Sequence, residues 1–404
     1  VKNRRVLVIA GNDQSLVNFR GPLLGAMVAA GHEVLAAAPP ESPDLPDRLA
    51  AIGVRFVPVY SLQRAGTNPW AEWKTRRELT AVMRAECPDT VLAYTIKPIV
   101  HGLPAAAAAG VSHRFALVTG LGTAFHSDGW RGALLRGVAS RLYRSALSKA
   151  EAVYFQNDES RTVFLNHGII LPATRAILVA GSGVDTAHYT HAPLETSQPT
   201  FLMLARLLRD KGVAEYVAAA RICRAALPSA RFLLVGSRDP NPTAVPSHLL
   251  ETWQAEGIVE FRDAVSDVRP LLAGCSVYVL PSYHEGMPRS VIEAMATGRP
   301  VITTDAIGCR ETIIGADRPD ADGLRWGENG VLVPVKDSVA LAAAMLRLVS
   351  NPEMLMAMGK RARIIAEQQF DVRRINDVIL RTMDLLPHEG LPKQVPCRSP
   401  SACT

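Results

Sequence analysis

Short apolar runs, punctuated by polar or glycine-bearing turns, recur along the whole chain, and stretches with helical spacing of apolar residues separate many of them. Residues 5–10, 32–38, 54–60 and 89–95 read as strands, with a helix over 70–85 before the last of these. Residues 114–119, 152–157 and 176–180 extend the series, and 200–205, 231–236, 258–261, 277–281, 300–304 and 330–335 repeat it in the second half. Runs that are apolar at nearly every position are buried on both faces, which is the pattern of parallel sheet covered by helices. Residues 188–199 hold Pro193 and Pro199 and little periodicity, so they divide the chain into domains of residues 1–192 and 193–390. A chain of 404 residues is long enough for two such cores. The last helices run over 339–386, and the Pro- and Ser-rich 391–404 read as a disordered tail.

The unit over 277–304 is strand, loop, helix, strand. Val291, Ile292, Met295 and Ala296 lie on one side of its helix, Gly298 supplies the stop, and Glu293 falls outside the stripe, free to face a cleft or water. The helix start sits at the carboxyl edge of the sheet, where Gly286, Met287 and Arg289 can bring amides to a phosphate. Glu285 would repel that phosphate, so its sensible partner is a neutral, hydroxyl-rich group such as a sugar. Glu293 can accept two hydrogen bonds from the vicinal diol of a ribose. Two solvated glutamates near a helix start are the plainer account of the pair. Arg206 and Lys211 flank another strand-to-helix turn, from which two cations can hold a diphosphate, or simply face solvent. Gly11, after the first strand, allows a ligand close to the backbone or makes an ordinary tight turn. No dinucleotide-type glycine pattern follows that strand, which counts against an NAD enzyme.

Composition narrows the class. Hydrophobic residues at 48% and charged residues at 20% suit a soluble globular chain, and six widely spaced cysteines form no metal-ligand pair. No apolar run reaches bilayer-spanning length, no secretory leader is evident, and a reducing cytoplasm is the expected home. The net charge of +6 lies wholly in residues 1–190, with 20 Lys+Arg against 14 Asp+Glu, since the remainder carries 24 of each. An anionic partner for the first half follows, and the lack of basic-aromatic interleaving makes nucleic acid the least suited. Within that half, 130–150 reads as a helix with Arg131, Arg136, Arg141, Arg144 and Lys149. Leu134, Leu135, Val138, Leu142, Ala146 and Leu147 form its apolar arc, so it either packs that arc on the sheet with a wet basic face or meets a membrane. Asp320 and Asp322 match a metal-binding spacing but lie in a Pro/Asp/Gly loop and read as a turn.

Glu285 and Glu293, after Leu280-Pro281-Ser282 and before Ala294-Met295-Ala296-Thr297-Gly298, resemble the signature of the retaining nucleotide-sugar glycosyltransferases of family four. Arg206, four residues, then Lys211-Gly212 resembles the diphosphate-binding pair of that family. Ser15 to Arg20, Tyr94 to Pro98 and Thr119-Gly120-Leu121-Gly122 resemble a subgroup that adds a sugar to a polyprenyl-diphosphate-linked sugar. The resemblance implies the GT-B arrangement, two doubly wound Rossmann-like domains facing across a cleft, with the final helix crossing back. It implies a donor, best a UDP-sugar, held by Gly11, Arg206, Lys211, Glu285, Gly286, Met287, Pro288, Arg289 and Glu293, with Arg206, Lys211 and Glu285 acting in catalysis. It implies an acceptor met by Asn18, Arg20, Lys97, Thr119, Gly120 and Gly122, at the inner face of the cell membrane, with no cofactor and no metal. Many members carry a histidine in the loop after the strand ending at Thr119; here His126 lies farther out, so no catalytic histidine is carried over. An epimerase or hydrolase acting on the nucleotide sugar alone, or a non-catalytic binding subunit, would use the same fold.

Overall fold

The computed structural model describes residues 2–63, 68–121, 125, 129–238, 241 and 243–387 of the chain. The first domain alternates β1 (Arg5–Ile9), α1 (Gln14–Asn18), α2 (Gly21–Ala29), β2 (Glu33–Ala38), α3 (Leu45–Ala50), β3 (Val54–Pro58), α4 (Pro69–Glu86), β4 (Thr90–Tyr94), α5 (Ile96–Ala108), β5 (His113–Val118), α6 (Gly129–Leu147), β6 (Ala152–Phe155), α7 (Asp158–Asn166) and β7 (Ala176–Leu178). Its sheet is parallel throughout, in the order β3-β2-β1-β4-β5-β6-β7. Val6 to Ile9 are wholly buried because helices cover both faces, and this is why the strand reads as an unbroken apolar run.

The second domain repeats the winding with β8 (Thr200–Leu204), α8 (Val213–Ala226), β9 (Arg231–Val235), α9 (Ser247–Ala255), β10 (Glu260–Arg262), α10 (Arg269–Ala273), β11 (Val277–Leu280), α11 (Arg289–Ala296), β12 (Val301–Thr304), β13 (Arg325–Trp326), β14 (Gly330–Val333), α12 (Ser338–Val349) and α13 (Pro352–Ile365). The order is β10-β9-β8-β11-β12-β14-β13, with the two-residue β13 antiparallel at the edge. The last helix, α14 (Val372–Thr382), returns to the first domain: Ile375, Ile379 and Leu380 join the core beneath α2, and Tyr154 Oη donates to the Ile379 carbonyl at 3.2 Å.

In α6 the expected apolar arc divides, with Ala146 and Leu147 buried and the rest of it exposed. Gly132, Ala139, Tyr143, Ala146 and Leu147 face inward, whereas Leu134, Leu135, Val138 and Leu142 are exposed. The reason is the neighbour: α6 packs against α5, and small residues permit that approach. Asp320 does close a turn, its Oδ1 accepting from the amides of Asp322 and Leu324 at 2.9 and 3.0 Å, and Arg347 pairs with both aspartates.

Candidate active site

In each sheet the strand order reverses once, between β1 and β4 and between β8 and β11, so the loops leaving those strands diverge and open a crevice. The loop after β8 carries Arg206 and Lys211, and the loop after β11 carries residues 281–288. Two bonds lash them together, from the Tyr283 amide to the Asp210 carbonyl at 2.8 Å and from Ser282 Oγ to the same carbonyl at 3.1 Å. Gly212 sits at φ +74°, and a Cβ there would stand 2.1 Å from the Pro281 carbonyl, so only glycine lets the loops close. The consequence is a short ion pair, Lys211 Nζ to Glu285 Oε1 at 2.5 Å, with both side chains largely shielded. Glu285 Oε2 accepts no bond from the described residues. Arg206 stands exposed at the end of β8.

The first domain meets this loop directly. Asn157 Nδ2 donates to the Gly286 carbonyl at 2.7 Å, and a Cβ on Gly286 would lie 1.9 Å from the Thr119 carbonyl. Gly120, at φ +153°, faces the same glycine. Met287 packs against Gly181, and the buried Pro288 precedes α11 with no side chain capping that helix. Arg310 pairs with Glu159 of α7 across the cleft, and also with Asp305 at 2.8 Å. Beside it Glu311, whose Oε2 accepts from the Gly308 amide at 2.8 Å, is pushed up to about 7 by burial.

Glu293 corrects the expectation that it faces a cleft or water. It is 8% exposed, and its Oε1 accepts from Tyr189 Oη at 2.9 Å and Arg289 Nε at 2.8 Å. Burial holds its carboxyl above the usual range against the pull of Arg289, and Oε2 accepts nothing among the described residues. Arg289 also lies over the Phe19 ring, 5.5 Å from its centroid, so its side chain spans the cleft while its amide begins α11. Arg20 is 3% exposed and 5.2 Å from the Tyr94 centroid, with no carboxylate paired to it among the described residues and its Nε left without an acceptor. Burial, with Arg289 nearby, lowers it to about 10. Such a cation suits an incoming anion.

Lys97, at the start of α5, bonds Glu72 Oε1 at 2.5 Å, and His101 Nε2 meets the other oxygen at 2.5 Å. His113 pairs with Glu151 at 3.2 Å on the far side of the sheet. Asn18 is exposed near Arg48, and a Cβ on Gly11 would be 3.1 Å from Thr95 Oγ1. Gly122 and His126 lie outside the described residues. Tyr189, Asn157 and Glu311 were not anticipated. Tyr189 comes from the connecting segment, which carries no periodic signal; Asn157 could have been noticed as a helix cap, its Oδ1 accepting from the Ser160 amide at 2.8 Å.

Comparison with known proteins agrees with this architecture. Residues 21–181 match the glycosyl transferase 4-like domain and residues 198–351 match glycosyl transferases group 1. The chain is 31% identical over 361 residues to the N,N'-diacetylbacillosaminyl-diphospho-undecaprenol alpha-1,3-N-acetylgalactosaminyltransferase of Campylobacter jejuni, covering 86% of this chain and 90% of that one. Among solved structures, sucrose-phosphate synthase from Thermosynechococcus elongatus superposes with a TM-score of 0.76 at 20% identity, covering 95% of this chain and 98% of that one. Anabaena HepE, in complex with UDP-glucose, does so with a TM-score of 0.72 at 19% identity, covering 95% and 100%. The two matched domains, the paired doubly wound sheets and the near full-length likeness place the chain in the family four glycosyltransferases of GT-B fold.

Proposed function

We propose that the enzyme transfers a sugar, an N-acetylhexosamine or hexose carried on UDP, to a polyprenyl-diphosphate-linked sugar, with retention of anomeric configuration and without a metal, in bacterial surface glycan assembly. The observation that carries the reading is the joining of Lys211 to Glu285 at the crevice where the Gly286 loop meets Thr119. Arg206 and Lys211 would stabilise charge developing on the leaving diphosphate, where fixed cations lower the barrier most. Once a diphosphate draws Lys211 away, Glu285 is released to accept from sugar hydroxyls, and Glu293 Oε2 is placed for the ribose. On the other wall, Arg20 supplies an uncompensated cation and Lys97 a second one for the acceptor diphosphate. The Campylobacter relative, which acts on a lipid-linked sugar diphosphate, supports that acceptor class.

The test is a panel of UDP-sugars offered with undecaprenyl-diphosphate-linked mono- and disaccharides, the lipid product being identified by mass. One donor should add one sugar to the lipid; addition to water-soluble sugars alone would overturn the acceptor class.

A further inference from the structure

We infer that Ile307 and Arg310, in the segment after β12, are positioning residues that set Glu285 for sugar transfer by fastening its backbone to α7 of the first domain. The segment runs along the back of the Glu285 loop. Thr304 Oγ1 donates to the Ser282 carbonyl, and the Glu285 amide donates to the Ile307 carbonyl at 2.8 Å. A Cβ on Gly308, at φ +82°, would stand 2.2 Å from the Glu285 carbonyl, so the two chains touch with no room for a side chain between them. Glu311 keeps the segment in shape, its Oε2 accepting from the Gly308 amide at 2.8 Å. Any shift of residues 304–308 is therefore passed directly to Glu285.

Two side chains of this segment leave their own domain. Ile307 packs on the first domain's apolar core, the cluster that holds Phe155 and Phe164, although its carbonyl serves Glu285. Arg310 is anchored at its base, Nη2 donating to the Asp305 carbonyl at 2.9 Å, and its Nη1 donates to Glu159 Oε1 in the first turn of α7. Glu159 takes no other bond among the described residues. Two positions earlier, Asn157 donates to the Gly286 carbonyl at 2.7 Å. The start of α7 thus grips Glu285 from both sides, at Gly286 in front and through Arg310 and Ile307 behind. The segment is held within its own domain without the crossing contacts, since the Asp305 amide donates to the Val333 carbonyl at 2.8 Å and its carboxylate pairs with Arg325 at 3.3 Å. A partly exposed ion pair such as Arg310 with Glu159 adds little to stability, whereas a displacement of about 1 Å at a reacting group can cost about a hundredfold in rate. Its worth lies in placement.

Because this role rests on the reading of Glu285 as the group that meets the donor sugar, the experiment includes Glu285→Gln. It uses the full chain, the fastest UDP-sugar of the panel with its lipid-linked acceptor, calorimetry with bare UDP, and thermal melting. Glu159→Gln and Ile307→Ala should each lower kcat about tenfold, while bare UDP binds within about twofold of wild type because Arg206, Lys211 and Glu293 are untouched. Glu159→Gln should melt as the wild type does, since it is a partly exposed surface change, and Ile307→Val should regain most of the rate. In a Glu285→Gln background, Glu159→Gln should cost less than about a further twofold, because its effect passes through Glu285. Two results would overturn the positioning role and leave the Glu285 reading standing: the full tenfold loss persisting in that background, or wild-type kcat in Glu159→Gln and Ile307→Ala while Glu285→Gln is impaired. Wild-type kcat in Glu285→Gln itself would overturn both.

Discussion

Lys211 Nζ lies 2.5 Å from Glu285 Oε1, so the cation proposed for the diphosphate is neutralised by the carboxylate proposed for the sugar until a ligand arrives. The pair stores the site in a closed electrostatic state. A donor offers Lys211 a more highly charged partner and leaves Glu285 to the hydroxyls beside it.

Removing either cation should therefore slow transfer. A hydrogen bond to a charged group contributes about 1.5–3 kcal/mol, so Arg206→Ala or Lys211→Ala should lower kcat/KM by about ten- to a hundredfold. Steady-state rates on folded variants provide the check, and wild-type turnover in both would remove the diphosphate assignment.

The two glutamates should respond with opposite sign. Glu285→Gln frees Lys211 and so should preserve or tighten binding of bare UDP while impairing transfer. Glu293→Gln weakens the bonds from Tyr189 and Arg289 and should reduce UDP affinity about tenfold, from a loss of about 1–2 kcal/mol. Calorimetry with UDP separates the cases, and an equal loss in both contradicts the division of roles.

Gly286→Ala should be severe. Its Cβ would meet the Thr119 carbonyl at 1.9 Å and Gln156 Oε1 at 2.7 Å, so the two domains must part where they now touch. Transfer should fall by at least about a hundredfold, since even a small misplacement of reacting groups costs that much, while the melting temperature changes little because the glycine lies in a loop. A fully active alanine variant would show that the domains work apart.

Much of this was legible in the chain, and the exceptions have physical causes. The strands were readable because burial on both faces makes them apolar throughout. The placement of Arg206, Lys211 and Glu285 at the carboxyl edge was readable because each follows such a strand. The side of α6 that faces inward was not: its hydrophobic arc singles out Leu134 and Leu142, whereas contact with α5 selects Gly132 and Ala139, and periodicity does not encode the size of the gap. The burial of Glu293 was hidden for another reason, since Tyr189 reaches it from 104 residues away. At two residues, β13 is too short for any periodic signal.

Glu311 should give the stability a pH slope. Its folded carboxyl sits at about 7 against an ordinary 4.5, so from about pH 4.5 to 7 the folded state holds a proton the unfolded chain has released. Stability attached to this group is thus present below that window and falls as pH rises through it. Arg310 and Glu159 stand beside it. Glu311→Gln should flatten this part of the denaturation profile and stabilise the enzyme at pH 8, and an unchanged slope would refute the assignment.

The central claim is transfer from a nucleotide sugar to a lipid-linked acceptor with retention. The direct measurement supplies an anomeric-carbon-labelled α-linked UDP-sugar, with and without undecaprenyl-diphosphate-linked sugar, and follows UDP release and the product anomeric signal by NMR. The account predicts UDP release that depends on the acceptor and an α-linked product; release without acceptor, or a β-linked product, would contradict it.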